Sequence, residues 1–141
     1  MADRQYVFKV AEVVKVTDGD TYWLRVDVGF RGLLLINVRL WGYDCPEAHR
    51  GSEFEKAQAI QAQMAAEEWF RSTGGRDRLW IRTEKDPDNF GRWLGEVWWE
   101  YLDGSRLVLG EMLRAAKLAS EWPTRWHEEF DTREAINEPN S

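Results

Sequence analysis

The sequence predicts an α+β chain that is mainly β, a five-stranded OB-type barrel decorated by about three helices. Three observations predict it. Segments of strand periodicity come three in succession, followed by a capped helical segment, two further strands and trailing helices. The 141 residues suit one domain and are too few for two ordinary ones. A content of 43% hydrophobic and 31% charged residues belongs to a chain that folds around a core and excludes disordered or low-complexity classes.

The first strand is expected over Tyr6–Val16, rich in valine and aromatic residues, with Asp18-Gly19 as its turn. In the second, Tyr22, Leu24, Val26 and Val28 alternate with Trp23, Arg25 and Asp27, the pattern of a half-buried strand. A turn at Gly29–Gly32 leads to the third, Leu33–Trp41, with Leu34, Ile36, Val38 and Leu40 on one face and Arg39 on the other. Ser52 and Glu55 stand in capping-box spacing and open a helix with Phe54, Ala57, Ile60 and Met64 as its apolar stripe, stopped by Gly74-Gly75. Leu79–Thr83 and Arg92–Tyr101 read as the fourth and fifth strands around a polar loop. A turn at Asp103-Gly104 precedes a second helix over about 110–119, with Leu109, Met112, Leu113 and Ala116 buried. A third helix is expected over Trp126–Ile136, before a frayed end. Residues 1–122 form the main body, and 123–141 an acidic helix and tail of the same domain.

No apolar run approaches the roughly 18 residues that span a bilayer, and the first residues carry no leader pattern, so a cytoplasmic protein with no membrane partner is expected. Cys45 is the single cysteine, which fits a reducing compartment. The net charge of −6 argues against a polyanion-binding surface, but it is unevenly distributed. Six carboxylates and two arginines from Glu121 to Ser141 carry −4 of it. Set aside the carboxylates Asp18, Asp20, Asp44, Glu47 and Asp88, and the rest of the body is mildly basic.

Those carboxylates, with Arg39, make the densest polar cluster at predicted strand ends. Singly, each reads as a turn or solvated loop residue. Together, two aspartates at the ends of neighbouring strands and a glutamate three residues beyond one of them suit a hard cation that takes oxygen ligands. Val16-Thr-Asp-Gly-Asp-Thr21, Val38-Arg-Leu-Trp-Gly-Tyr-Asp-Cys-Pro-Glu47, Asp88-Asn-Phe-Gly-Arg-Trp-Leu94 and Gly110-Glu-Met-Leu-Arg114 with Leu118-Ala119 resemble, in order, the motifs of the staphylococcal nuclease-like (thermonuclease) family. The resemblance covers about residues 8–122.

The resemblance implies an OB barrel decorated by helices and Ca²⁺-dependent hydrolysis of phosphodiester bonds in DNA or RNA, by a chain expected to be a monomer. It implies Asp20, Asp44 and the backbone carbonyl of Cys45 as calcium ligands, with Asp18, Thr21 and Glu47 around them. Glu47 matches the residue that holds the attacking water and takes its proton; Arg39 and Arg92 match the arginines that grip the phosphate. Cys45 stands where the family often has threonine, and Lys117 where it commonly has glycine. Beyond Trp122 the match fades, leaving Trp122 and Trp126 as candidates to replace a base-stacking segment. Two other classes compete: a catalytically silent OB module that binds single strands or a protein partner, and an acidic mimic of nucleic acid. Loss of the metal aspartates or phosphate arginines would mark the silent module, and all are present here; mimicry explains the charge but not the arginines in register.

Overall fold

The computed structural model describes residues 6–49, 51–73 and 76–130. Five strands close a mixed barrel: β1 (Val7–Asp18), β2 (Thr21–Gly29), β3 (Gly32–Leu40), and, beyond a short β4 (Tyr43–Asp44) and helix α1 (Glu53–Ser72), β5 (Leu79–Thr83) and β6 (Trp93–Glu100). The neighbours run β3-β2-β1-β5-β6, and β3 returns to β6 in parallel, pairing Val38 with Trp93 and Leu40 with Gly95. This is an OB-fold-like barrel with helices outside it. Strand β1 serves two partners and carries three register shifts against β2, the bends that let a long strand wrap a small barrel.

Inside lie Val10, Tyr22, Leu24, Val26, Ile36, Val38, Leu40, Ile81 and Val97, all buried, as the alternation requires. The alternation fails at the outer hairpin: Val28 and Leu34, expected inside, are 42% and 52% exposed. The β2–β3 hairpin outruns the barrel, so its end has no opposite wall to pack against.

Ser52 caps α1 as expected, its hydroxyl accepting the Glu55 N–H at 3.0 Å. The buried face of the helix differs from the expected stripe. Ala57, Ile60 and Met64 are exposed and Phe54 only half-buried, while Ala59, Ala62, Ala66 and Trp69 face the barrel. The helix approaches too closely for long side chains, because a Cβ at Gly19 would lie 2.6 Å from that of Ala62. The expected stop at Gly74-Gly75 lies outside the described residues.

Strand β7 (Arg106–Val108) adds to β6, a three-residue element too short for its periodicity to be read. Helix α2 (Leu109–Ala115) is shorter than expected; Leu109 and Leu113 are buried, but Ala116 is exposed beyond its end. Lys117 adopts φ +62°, its N–H donating to the Arg114 carbonyl and that of Leu118 to the Leu113 carbonyl. This paired closure usually falls to glycine. Strand β8 (Ser120–Glu121) then pairs with β4, and a short α3 (Trp126–Phe130) follows; the rest of the expected third helix lies outside the described residues. Among the described residues no helix is long and apolar enough to cross a membrane.

Candidate active site

The Asp18–Thr21 turn is fixed from below. Gly19 touches Ala62 and lies 3.0 Å, by its absent Cβ, from the Cys45 sulfur, so only glycine fits; the Tyr22 hydroxyl donates to its carbonyl. Asp20 is thereby held at the barrel rim, buried, accepting the Cys45 N–H at 2.9 Å and the Thr21 hydroxyl at 3.2 Å. Burial pushes its carboxyl above the usual range, against the opposing pull of Arg39 and the Cys45 N–H. Burial also holds the Cys45 thiol well up, so Cys45 contributes packing and a backbone donor, not a thiolate.

Arg39 reaches this rim because Thr21 and Arg39 are paired across β2 and β3. Its Nη1 donates to the Leu40 and Tyr43 carbonyls at 2.8 and 2.7 Å. Its Nη2 lies between two buried carboxylates, 3.4 Å from Asp20 and 3.3 Å from Asp44. Asp44 is set in turn by the β4–β8 ribbon, where it pairs with Ser120. Arg92 belongs to a self-supporting loop: the Asp88 carboxylate accepts the Phe90 N–H at 2.8 Å, the Arg92 N–H at 2.9 Å and Arg92 Nε at 3.0 Å. The guanidinium is thus aimed by its own loop before anything binds it.

These residues meet. Asp18, Asp20, Thr21, Arg39, Asp44, Glu47, His49 and Arg92 line one open cleft of about 380 Å³. The structure adds two groups that the sequence motifs omit. Arg125 Nη2 lies 3.3 Å from Glu47 and its Nε 3.6 Å from Asp44, and the Trp126 N–H donates to Asp44 at 2.8 Å. The one signal for Arg125 is its sign, one of two arginines in a segment with six carboxylates. Of the two candidate base-stacking residues, Trp126 is 1% exposed against Phe54, which excludes that role for it. Trp122 is 39% exposed, 5.6 Å from the Arg39 guanidinium.

The donor chemistry suits a hard divalent ion, with buried carboxylates from the β1–β2 turn and from β4 converging on one guanidinium and two more carboxylates in the same cleft. Arg39 now provides the cation between them, and among the described residues no three His, Cys, Asp or Glu side chains meet at one point. Neither a protein-family model nor a curated protein sequence matches this chain. The resemblance to the staphylococcal nuclease-like family therefore rests on the sequence motifs alone.

Proposed function

We propose that the protein is a Ca²⁺-dependent nuclease that hydrolyses phosphodiester bonds of DNA or RNA in the Asp20–Arg92 cleft. The observation that carries this reading is the convergence of side chains from residues 18–21, 39–47 and 92 in one solvent-open cleft containing both carboxylates and guanidinium groups. A phosphodiester offers an anion for the arginines, and its hydrolysis needs a group that takes a proton from water.

Asp20 and Asp44, with the Cys45 carbonyl, would hold the ion, and Asp18 and Thr21 would steady them. When bound, Ca²⁺ supplies positive charge against the phosphate oxygens. Arg92, pre-aimed by Asp88, and Arg39 donate hydrogen bonds that strengthen as negative charge accumulates on those oxygens. Glu47 holds the attacking water and accepts its proton, a role worth about 10²–10⁴-fold in rate. Arg125 steadies the Glu47 carboxylate.

The deciding experiment incubates single- and double-stranded DNA and RNA with the protein in Ca²⁺, Mg²⁺ or EDTA. Cleavage with Ca²⁺ that EDTA abolishes and Glu47→Gln suppresses is expected. Binding of single strands without cleavage under any condition would make the chain a silent OB module.

A further inference from the structure

A second cavity, of about 460 Å³, opens beside the β4–β8 ribbon, and its lining divides into two chemistries. One is aromatic. The Trp122 N–H donates to the Gly42 carbonyl at 3.0 Å, which brings its ring to 5.9 Å from that of Trp41, tilted by 55°. Tyr43 forms a further wall, its ring packed so closely against Gly110 that a Cβ there would lie 2.2 Å from it. The other chemistry is charged and predominantly anionic: Glu96, Glu111 and Glu121 border the cavity, against one cation of its lining, Arg106. Arg82 pairs with Glu96 at 2.7 Å, whereas among the described residues Glu111 and Glu121 have no ion-pair partner.

This combination selects strongly among ligands. Phosphates and carboxylates are disfavoured, since three glutamates outnumber Arg106 in the lining. A neutral apolar ligand would take carboxylates out of water with nothing to offset the loss. A small metal ion would gain nothing from the rings. An organic cation with its charge spread over alkyl groups uses both walls, since the faces of indole and phenol attract it and the carboxylates match its charge. The chain already makes such a contact at this cavity: the Arg106 guanidinium lies 4.2 Å from the centre of the Trp98 ring. Trp41 and Trp122 are 43% and 39% exposed, which leaves part of each ring open to an entering group, with the Arg39 guanidinium already 5.6 Å from the centre of the Trp122 ring.

We propose that this cavity binds an alkylated ammonium group, with Trp41, Tyr43 and Trp122 against its alkyl surface and Glu111 and Glu121 matching its charge. The group would come on a small molecule or on a methylated lysine of a protein tail, sources with the same chemistry at the site.

The test titrates the full chain with choline, with its neutral isostere 3,3-dimethylbutan-1-ol, and with a short peptide in trimethylated and unmethylated lysine forms, following tryptophan fluorescence. Choline or the trimethylated peptide should saturate, the isostere binding at least about tenfold more weakly. The doubly substituted Glu111→Gln, Glu121→Gln chain alters only exposed side chains, Glu111 in the first turn of α2, so its urea midpoint should fall only slightly while cation affinity falls about tenfold or more. Tighter binding of the peptide would assign the source to a protein tail, and tighter binding of choline to a small molecule. Equal binding of choline and isostere, unchanged affinity in the double variant, or saturation by no cation would overturn the proposal. None of these outcomes depends on nuclease activity.

Discussion

At the scale of single residues, Arg39 and Arg92 separate phosphate-gripping groups from ordinary surface charges. An exposed ion pair contributes about 0–1 kcal/mol and tolerates lysine. A planar guanidinium that donates to two phosphoryl oxygens does not. Arg92→Lys is therefore expected to lower kcat/KM about 10²-fold or more with the unfolding midpoint nearly unchanged; near-parental cleavage would return Arg92 to the surface charges. Arg39→Lys should lose activity and also about 1–3 kcal/mol of stability, because Nη1 satisfies two backbone carbonyls that one ammonium cannot reach together with both aspartates. Lys117 offers a change of the opposite sign. Its φ of +62° costs a side-chain-bearing residue more than glycine, so Lys117→Gly should stabilise by about 1 kcal/mol in denaturant titration.

At the scale of elements, α1 positions the site by proximity. Its alanine face brings Ala62 against Gly19, and Gly19 carries Asp18 and Asp20 on either side. Gly19→Ala must push the helix or the turn aside, costing about 1–3 kcal/mol and displacing Asp20, so thermal stability and Ca²⁺-dependent activity should fall together. The Asp88–Arg92 loop behaves as a unit with its own pH dependence. Partial burial raises the Asp88 carboxyl, but the N–H groups of Arg92 and Phe90 and the Arg92 guanidinium outweigh it and hold Asp88 below the usual carboxylate range. A depressed value in the folded state gives stabilisation that is complete above the ordinary carboxylate pKa and lost as pH falls through the depressed one. The protection factors of the Phe90 and Arg92 amides, taken relative to the unstructured chain at the same pH, should therefore fall below about pH 4, and Asp88→Asn should remove that pH dependence.

At the scale of the whole molecule, the barrel is well filled, but its β2–β3 hairpin projects from it. Phe30 and Arg31 form the tip at φ +54° and +61°, with Phe30 fully exposed and Leu33, Leu34 and Leu35 each about half exposed. Two left-handed residues with side chains at a two-residue turn, where Asn-Gly is the natural pair, are locally unfavourable. Replacing Phe30→Asn and Arg31→Gly together should raise stability by about 1 kcal/mol or more, read as a higher Tm, with the far-ultraviolet spectrum unchanged. A lower Tm would mean that Phe30 makes a stabilising contact the fold does not reveal.

Much of this was legible locally. Strands β2 and β3 follow from period two, β1 from its valine and aromatic content, β5 and β6 from strand-like runs around a polar loop, and the Ser52 cap from its spacing, because neighbouring residues decide each. The motifs at 18–21, 39–47 and 88–92 are likewise local: each is a turn whose side chains are aimed within a few residues, and their resemblance named a common site. Tertiary structure decided the rest. Which face of α1 is buried depended on how closely a helix of small residues can approach the barrel, so alanines displaced Ile60 and Met64 from the interior. The outer hairpin lost its inward face because the barrel ends before the strands do. Arg125 and the Trp126 N–H reach Asp44 across some 82 residues of chain, and the aromatic and acidic cavity is assembled from six elements. No pattern along the sequence encodes such meetings; they follow from barrel closure, which brings distant strand ends and the returning C-terminal segment to the same rim.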